Sequence, residues 1–225
     1  FWSLGASIGI IISGWFYLNL FFKYGSFTAF NLNRQKFSFA NQPLNFYFPT
    51  FEELYYVFNK PIRPYLNNQF LSTLYSDLWG DYWGFFTFTS RYLDIGRNQN
   101  LIGDYFARVN KISLITTFVI VLFCYLSSKH FKEMYIVRYI NWAIITSFFG
   151  YLLFAISYPI ETGDTVKSSY IIQLFHLAAF SSSIYFYKLR SLNKAIYIQL
   201  LVVLSLIYIH NFQSFLSHFP RNFYP

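Results

Sequence analysis

The sequence predicts an all-α integral membrane protein with about five transmembrane helices and one long extracytoplasmic loop containing short interfacial helices. Three observations predict it. Hydrophobic residues make up 55% of the 225 residues and charged residues only 12%, about half the charged share of an average soluble domain. The apolar residues gather into runs near the roughly 20 residues that a spanning helix requires. The 17 lysines and arginines, against 9 acids, stand mostly at the ends of those runs, where cations meet phospholipid head groups. A net charge of +8 would suggest nucleic acid in a soluble protein. No basic cluster here stands free of an apolar flank, so membrane lipid, not nucleic acid, is the expected partner.

The first run, residues 1–22, is uncharged and ends at Lys23. Its small residues Gly5, Ser7, Ser13 and Gly14 suit close approach of a second helix. It lacks the charged start and cleavage site of a signal peptide, and with Phe1 already inside an apolar run the sequence reads as the carboxy-terminal piece of a longer protein. Residues 23–111 form a polar but aromatic-rich interval, expected to be extracytoplasmic. Within it, residues 31–49 are rich in Asn, Gln and Pro and read as irregular loop. A helix start follows: Thr50 is the expected N-cap and Glu53 its capping-box partner. Phe51, Leu54, Tyr55 and Phe58 then share one face of a short amphipathic helix suited to the membrane surface, and Pro61 and Pro64 end it.

Residues 112–225 hold four more apolar runs: 112–128, 135–158 (stopped by Pro159), 168–187 and 195–212. Lys129 and Lys132 lie in one short connection, with Arg138 just beyond, and Lys188, Arg190 and Lys194 in another. The positive-inside rule puts both in the cytoplasm. Five spans then alternate consistently, with 23–111, the 159–167 connection and the carboxy-terminal tail outside. The single cysteine, Cys124, excludes an intrachain disulfide and a cysteine-based zinc site and reads as a buried thiol.

Two polar stretches share the outer face. Residues 74–84, LYSDLWGDYWG, pack Asp77 and Asp81 beside Trp79 and Trp83. Indole faces stack on the apolar side of a sugar ring and carboxylates bind its hydroxyls, so these four are the candidate substrate contacts. Two carboxylates four apart also suit acid–base work or a divalent cation. No third ligand is evident, and no metal site is assigned. The bland reading is an aspartate cap with interfacial tryptophans. The second stretch, residues 161–170, ETGDTVKSSY, offers Asp164 or Thr165 as a helix cap and puts Lys167 in the first helical turn. An ammonium has the wrong sign there, which makes sense where a lipid phosphate shares the site; otherwise Lys167 snorkels to the head groups and pairs with Asp164. Arg91, Arg97 and Arg108 can bind phosphate bidentately, and Arg108 lies just before a span. Gln173, His176 and Ser183 fall on one side of the fourth span, where polar groups are expected to face the bundle interior.

The stretch 74–84, Arg108-Val-Asn110 leading into a span, and Gly163-Asp-Thr-Val-Lys-Ser-Ser-Tyr170 together resemble the carboxy-terminal half of bacterial multi-spanning GT-C-type glycosyltransferases. That group includes the protein mannosyltransferases and the lipid A aminoarabinose transferases. The resemblance implies transfer of a sugar from a polyprenyl-phosphate donor to an acceptor on the outer face of the bacterial inner membrane, by inverting displacement. It also suggests that the outer loop and the Asp164–Lys167 turn help form the donor or acceptor cavity, with Lys167, Arg108, Arg91 and Asp164 as the candidate lipid-phosphate contacts. The catalytic acid of that family lies in the first outer loop near the amino terminus, a region this sequence does not contain. None of Asp77, Asp81 or Asp164 takes that role by resemblance. Two rival readings are a transporter or channel segment, motivated by the Gln173/His176/Ser183 stripe, and a structural subunit of a membrane complex, motivated by the Phe and Tyr content.

Overall fold

The computed structural model describes residues 2–27, 36–61, 69–80, 97–159 and 166–216, and every regular element among them is a helix. The chain divides into two units, Phe1–Phe37 and Ser38–Pro225.

The first unit is built on α1 (Trp2–Tyr24), whose last turn carries Lys23, the charge that a helix C-terminus favours. Gly25 ends the helix with φ 69° and donates its N–H to Phe21 O at 2.8 Å. That left-handed cap costs little without a Cβ.

The second unit hangs on α5 (Arg97–His130), a helix of 34 residues. At the standard rise it is about 51 Å long, well beyond the roughly 30 Å of a hydrocarbon core. Its candidate span is Gly103–His130, and α3 (Phe51–Asn59) and α4 (Phe70–Trp79) pack against its amino-terminal part. The expected capping box opens α3. Thr50 Oγ1 accepts from Glu53 N at 3.3 Å and Glu53 Oε2 accepts from Thr50 N at 2.6 Å. Val57, not the Phe51/Leu54/Tyr55/Phe58 face, is the residue α3 buries; Phe51, Leu54 and Tyr55 stay exposed.

Among the described residues, three helices are long and apolar enough to cross a membrane: Gly103–His130, Tyr135–Ser157 and Lys194–Ser214. Large apolar side chains such as Phe118, Trp142 and Leu206 point outward from them, as on a surface solvated by lipid. The protein is a helical membrane protein. α6 (Tyr135–Ser157) matches the expected run and stops before Pro159. Its last carbonyls lack helical partners, and side chains supply them: Gln42 Nε2 donates to Ala155 O at 2.8 Å and Asn41 Nδ2 to Ile156 O at 3.2 Å.

The fourth apolar run differs from expectation. It starts as a 3-10 turn, Ser168–Ile171, before α7 (Ile172–Leu192). α7 is long enough to span but is not among the three, since Gln173, His176, four serines, Lys188 and Arg190 dilute its apolar residues. It is nonetheless the central helix, on which α5, α6 and α8 (Lys194–Leu216) all pack. Polar contacts stitch it in: Ser181 Oγ donates to Asn141 Oδ1 at 3.3 Å, Asn141 Nδ2 to Ser128 Oγ at 2.6 Å, and Cys124 Sγ to Ala178 O at 3.0 Å. Asn193 caps α8, its Oδ1 accepting from Ile196 N at 3.1 Å.

Two other expectations are corrected. The interval 31–49 is not all loop: a 3-10 turn (Phe39–Asn41) and the short helix α2 (Leu44–Tyr47) occupy its described part. Residues 97–111, read as loop, are the start of α5. The core beneath these elements joins Phe46, Phe70, Leu74, Tyr151, Ile156 and Ile171. Each such side chain contributes about 1.5–3 kcal/mol when fully buried.

Candidate functional site

The site forms where α4 crosses the ends of α5, α6 and α7. α4 is two-faced. Gln69, Ser72, Thr73, Ser76 and Asp77 are buried, while Leu71, Leu74, Tyr75, Leu78 and Trp79 line a cavity of about 1000 Å³. Gly80 lets the end of α4 come close to α5. A Cβ there would lie 3.1 Å from Asn110 Oδ1 and 3.3 Å from Phe106 Cβ. Asn110 then bridges two elements, its Nδ2 donating to Val57 O at 2.8 Å and Ser76 Oγ at 3.0 Å. Tyr75 donates to Asn110 O at 2.7 Å. Burial pushes the Tyr75 phenol up to about 12, with the Thr117 side chain pulling the other way.

Asp77 is only 1% exposed, and its Oδ2 accepts from Ser168 N at 2.5 Å. The carboxylate therefore sits at the first N–H of the 3-10 turn, where a lipid phosphate was expected. That place is taken by the protein's own carboxyl group. One residue earlier, the Tyr151 hydroxyl accepts from Lys167 N at 2.5 Å and donates to Lys167 O at 3.0 Å. The Lys167 ammonium lies 5.7 Å from the centre of the Tyr170 ring.

The cavity is apolar, partly open, and walled by α5, α6 and α7 below α4. α5 and α6 each pack on α7 more extensively than on one another, and the space between them is this cavity. Ile171, from the turn that follows Lys167, contributes to its wall. Trp79 lines it too, as well as a second cavity of about 360 Å³ between α5, α7 and α8. Its Nε1 is buried without a hydrogen bond among the described residues.

Of the residues singled out in the sequence, the structure brings Asp77 to the peptide that follows Lys167 and puts Trp79, on the same helix, in the wall of the cavity. Arg108 is exposed on α5, its guanidinium 5.9 Å from the Tyr105 ring; Tyr105 in turn donates to His210 O on α8 at 2.7 Å. Arg108 thus stands on α5, and Lys167 on the chain just before the 3-10 turn that leads into α7. Asp81, Trp83, Arg91 and Asp164 lie outside the described residues. The α7 stripe does not face the bundle interior as a set. Gln173, His176 and Ser183 are exposed, and α7 buries Leu174, Ser181 and Ser182 instead. His176 Nδ1 pairs with Ile172 O at 2.8 Å within its own helix, and the ring borders the main cavity. Among the described residues no three His, Cys, Asp or Glu side chains come together to hold a metal ion.

The sequence reading missed Tyr151. A tyrosine inside an apolar run carries no pattern that separates a lipid-facing ring from a hydrogen-bonding one. Comparison with known protein families, curated proteins and solved structures finds no match to this chain, so the site rests on its own geometry.

Proposed function

We propose that this chain is part of a membrane glycosyltransferase that moves a sugar from a polyprenyl-phosphate donor to an extracytoplasmic acceptor in a bacterial inner membrane. The observation that carries the reading is the apolar cavity of about 1000 Å³, whose wall includes Ile171 of the short turn that Lys167 precedes. Its volume is at the upper end of the roughly 300–1,000 Å³ typical of small-molecule sites. An apolar slot between membrane helices suits an isoprenoid chain, and a cation at its edge suits the phosphate. In this reading the acceptor attacks the anomeric carbon, the bond to the carrier phosphate breaks, and Lys167 stabilises the charge that grows on the leaving phosphate.

In this reading the roles divide among the residues singled out in the sequence. Asp77 is buried and bonded to Ser168 N, so its role is structural. Trp79 lines the cavity and serves the lipid chain; sugar stacking falls to Trp83. Arg108 and Arg91 remain further phosphate contacts, and Asp164 and Asp81 contacts near the head group.

The test is photo-crosslinking in membranes with a diazirine-bearing polyprenyl phosphate, read by mass spectrometry, alongside transfer of labelled sugar. Label on Ile120 or Ile144, lost when Ala178→Phe fills the cavity, is the expected result. Label spread evenly over lipid-facing residues, unaffected by Ala178→Phe, overturns the reading.

A transporter segment or complex subunit is the second reading, and the exposed Gln173, His176 and Ser183 on α7 favour it. Substrate uptake into proteoliposomes without glycosyl transfer, or co-purification with a fixed partner, would distinguish it.

A further inference from the structure

We propose that Asp77 and Tyr151 are positioning residues for Lys167, fixing the backbone that carries its ammonium at the turn leading into the cavity wall. The inference rests on the reading of Lys167 as a lipid-phosphate ligand. Lys167 lies outside any α-helix. Its backbone is extended, with φ −136° and ψ 131°, so helical geometry does not aim its side chain.

Two other helices do. Tyr151 of α6 takes both polar groups of the Lys167 backbone on one hydroxyl, accepting from the N–H at 2.5 Å and donating to the carbonyl at 3.0 Å. Asp77 of α4 accepts from the next N–H, on Ser168, at 2.5 Å. Both residues are buried, and so are Val166 and Ser168 on either side of Lys167.

The Tyr151 ring is itself confined. Phe154 stacks on it with an interplanar angle of 12°, and Phe70 lies 5.8 Å away, centroid to centroid. The hydroxyl therefore has one direction. Burying a carboxylate is costly, and this one is spent on the peptide that follows Lys167. A backbone pre-set in this way leaves no loop to be ordered when an anion arrives. α4 also roofs the cavity through Leu74 and Leu78, so one helix sets both the cation's mount and the space for the chain.

The experiment compares binding of a polyprenyl phosphate with that of the polyprenol of equal chain length, using the protein in nanodiscs. The ratio of the two affinities reads the phosphate contact alone, and a general loss of fold would lower both. Lys167→Ala is expected to cut the ratio roughly tenfold, the scale of a charge-assisted hydrogen bond. Tyr151→Phe, which keeps the ring, and Asp77→Ala are expected to cut it roughly three- to tenfold with polyprenol binding unchanged. Asp77→Asn, whose amide oxygen still accepts from Ser168 N, restores it. Tyr151→Phe added to Lys167→Ala should cost nothing more, since both act through one ammonium.

A wild-type ratio in Tyr151→Phe and Asp77→Ala beside a reduced ratio in Lys167→Ala overturns the positioning role and leaves the phosphate reading standing. Additive losses in the double variant overturn it as well. A wild-type ratio in Lys167→Ala itself removes the phosphate reading and this inference with it. Should Asp77→Ala fail to fold, Tyr151→Phe and the double variant decide.

Discussion

At the residue scale, Glu53 shows how a local motif becomes a pH-dependent part of the fold. Burial alone would raise its carboxyl, but the Thr50 backbone N–H and the Asn45, Thr50 and Gln69 side chains outweigh it and hold the pKa below its ordinary 4.5. A folded pKa below the unfolded one contributes stability that is present above the unfolded value and lost as pH falls through the folded value. Acidification below about 4.5 is therefore expected to loosen the start of α3. Hydrogen exchange of the first-turn amides should rise there in the wild type. Glu53→Gln, which keeps an acceptor but cannot titrate, should exchange almost independently of pH over the same range. Thr50→Ala should cost about 1 kcal/mol of stability at any pH.

This pairing was legible in the sequence because Thr50 and Glu53 are three residues apart and need nothing from the rest of the chain. Asp77 was not. Its partner Ser168 lies 91 residues away, and no local spacing distinguishes a carboxylate that meets a sugar from one that meets a distant peptide N–H. Tyr75→Phe offers a check on the neighbouring network. Losing the hydroxyl donor to Asn110 O should lower stability by about 1 kcal/mol, measured by thermal unfolding in detergent.

At the scale of elements, α4 and α5 meet through one glycine. Gly80 does not need a positive φ; its φ is −98°. What it needs is room, because a Cβ would come within 3.1 Å of Asn110 Oδ1 and 3.2 Å of Ser76 O. Gly80→Ala is expected to push α4 off α5 by a few tenths of an ångström and strain the Asn110 bridge. A loss of about 1–3 kcal/mol is the usual cost of overpacking. Unchanged thermal unfolding, with Asn110 still protected from exchange, would contradict the close packing.

Helix limits followed from sequence where a strong breaker stands, as Pro159 does after α6. They failed at residues 97–111, where the periodic signal is broken by Arg97, Asp104, Arg108 and Lys111. Asp104, Arg108 and Lys111 stay exposed while α3 and α4 cover the other side of the helix. Phe106, Ala107, Val109 and Asn110 are buried there, and that contact is tertiary.

At the scale of the molecule, two basic connections converge. Lys188 touches His130 Nε2 and lies 5.3 Å from the Phe131 ring, so the 129–132 and 188–194 segments share one end of the bundle. Lys167 lies at the opposite end of α6 and α7. The positive-inside rule then predicts that impermeant maleimide labels Lys132→Cys and Lys194→Cys only from the cytoplasm, in a Cys124→Ser background. Phe51→Cys, 94% exposed, should label only from outside. Labelling of all three from one side would break this topology.

Composition and run length alone determined that the protein is helical and membrane-bound, because lipid demands internally satisfied backbone and long apolar runs. Local capping rules located α3. The tertiary structure decided which polar residues are buried, where the helices part to leave a cavity, and that Asp77 and Tyr151 converge on the Lys167 turn. The reason is range: solvation and capping act on each segment by itself, whereas a cavity and a hydrogen bond across 91 residues exist only once separate helices have packed.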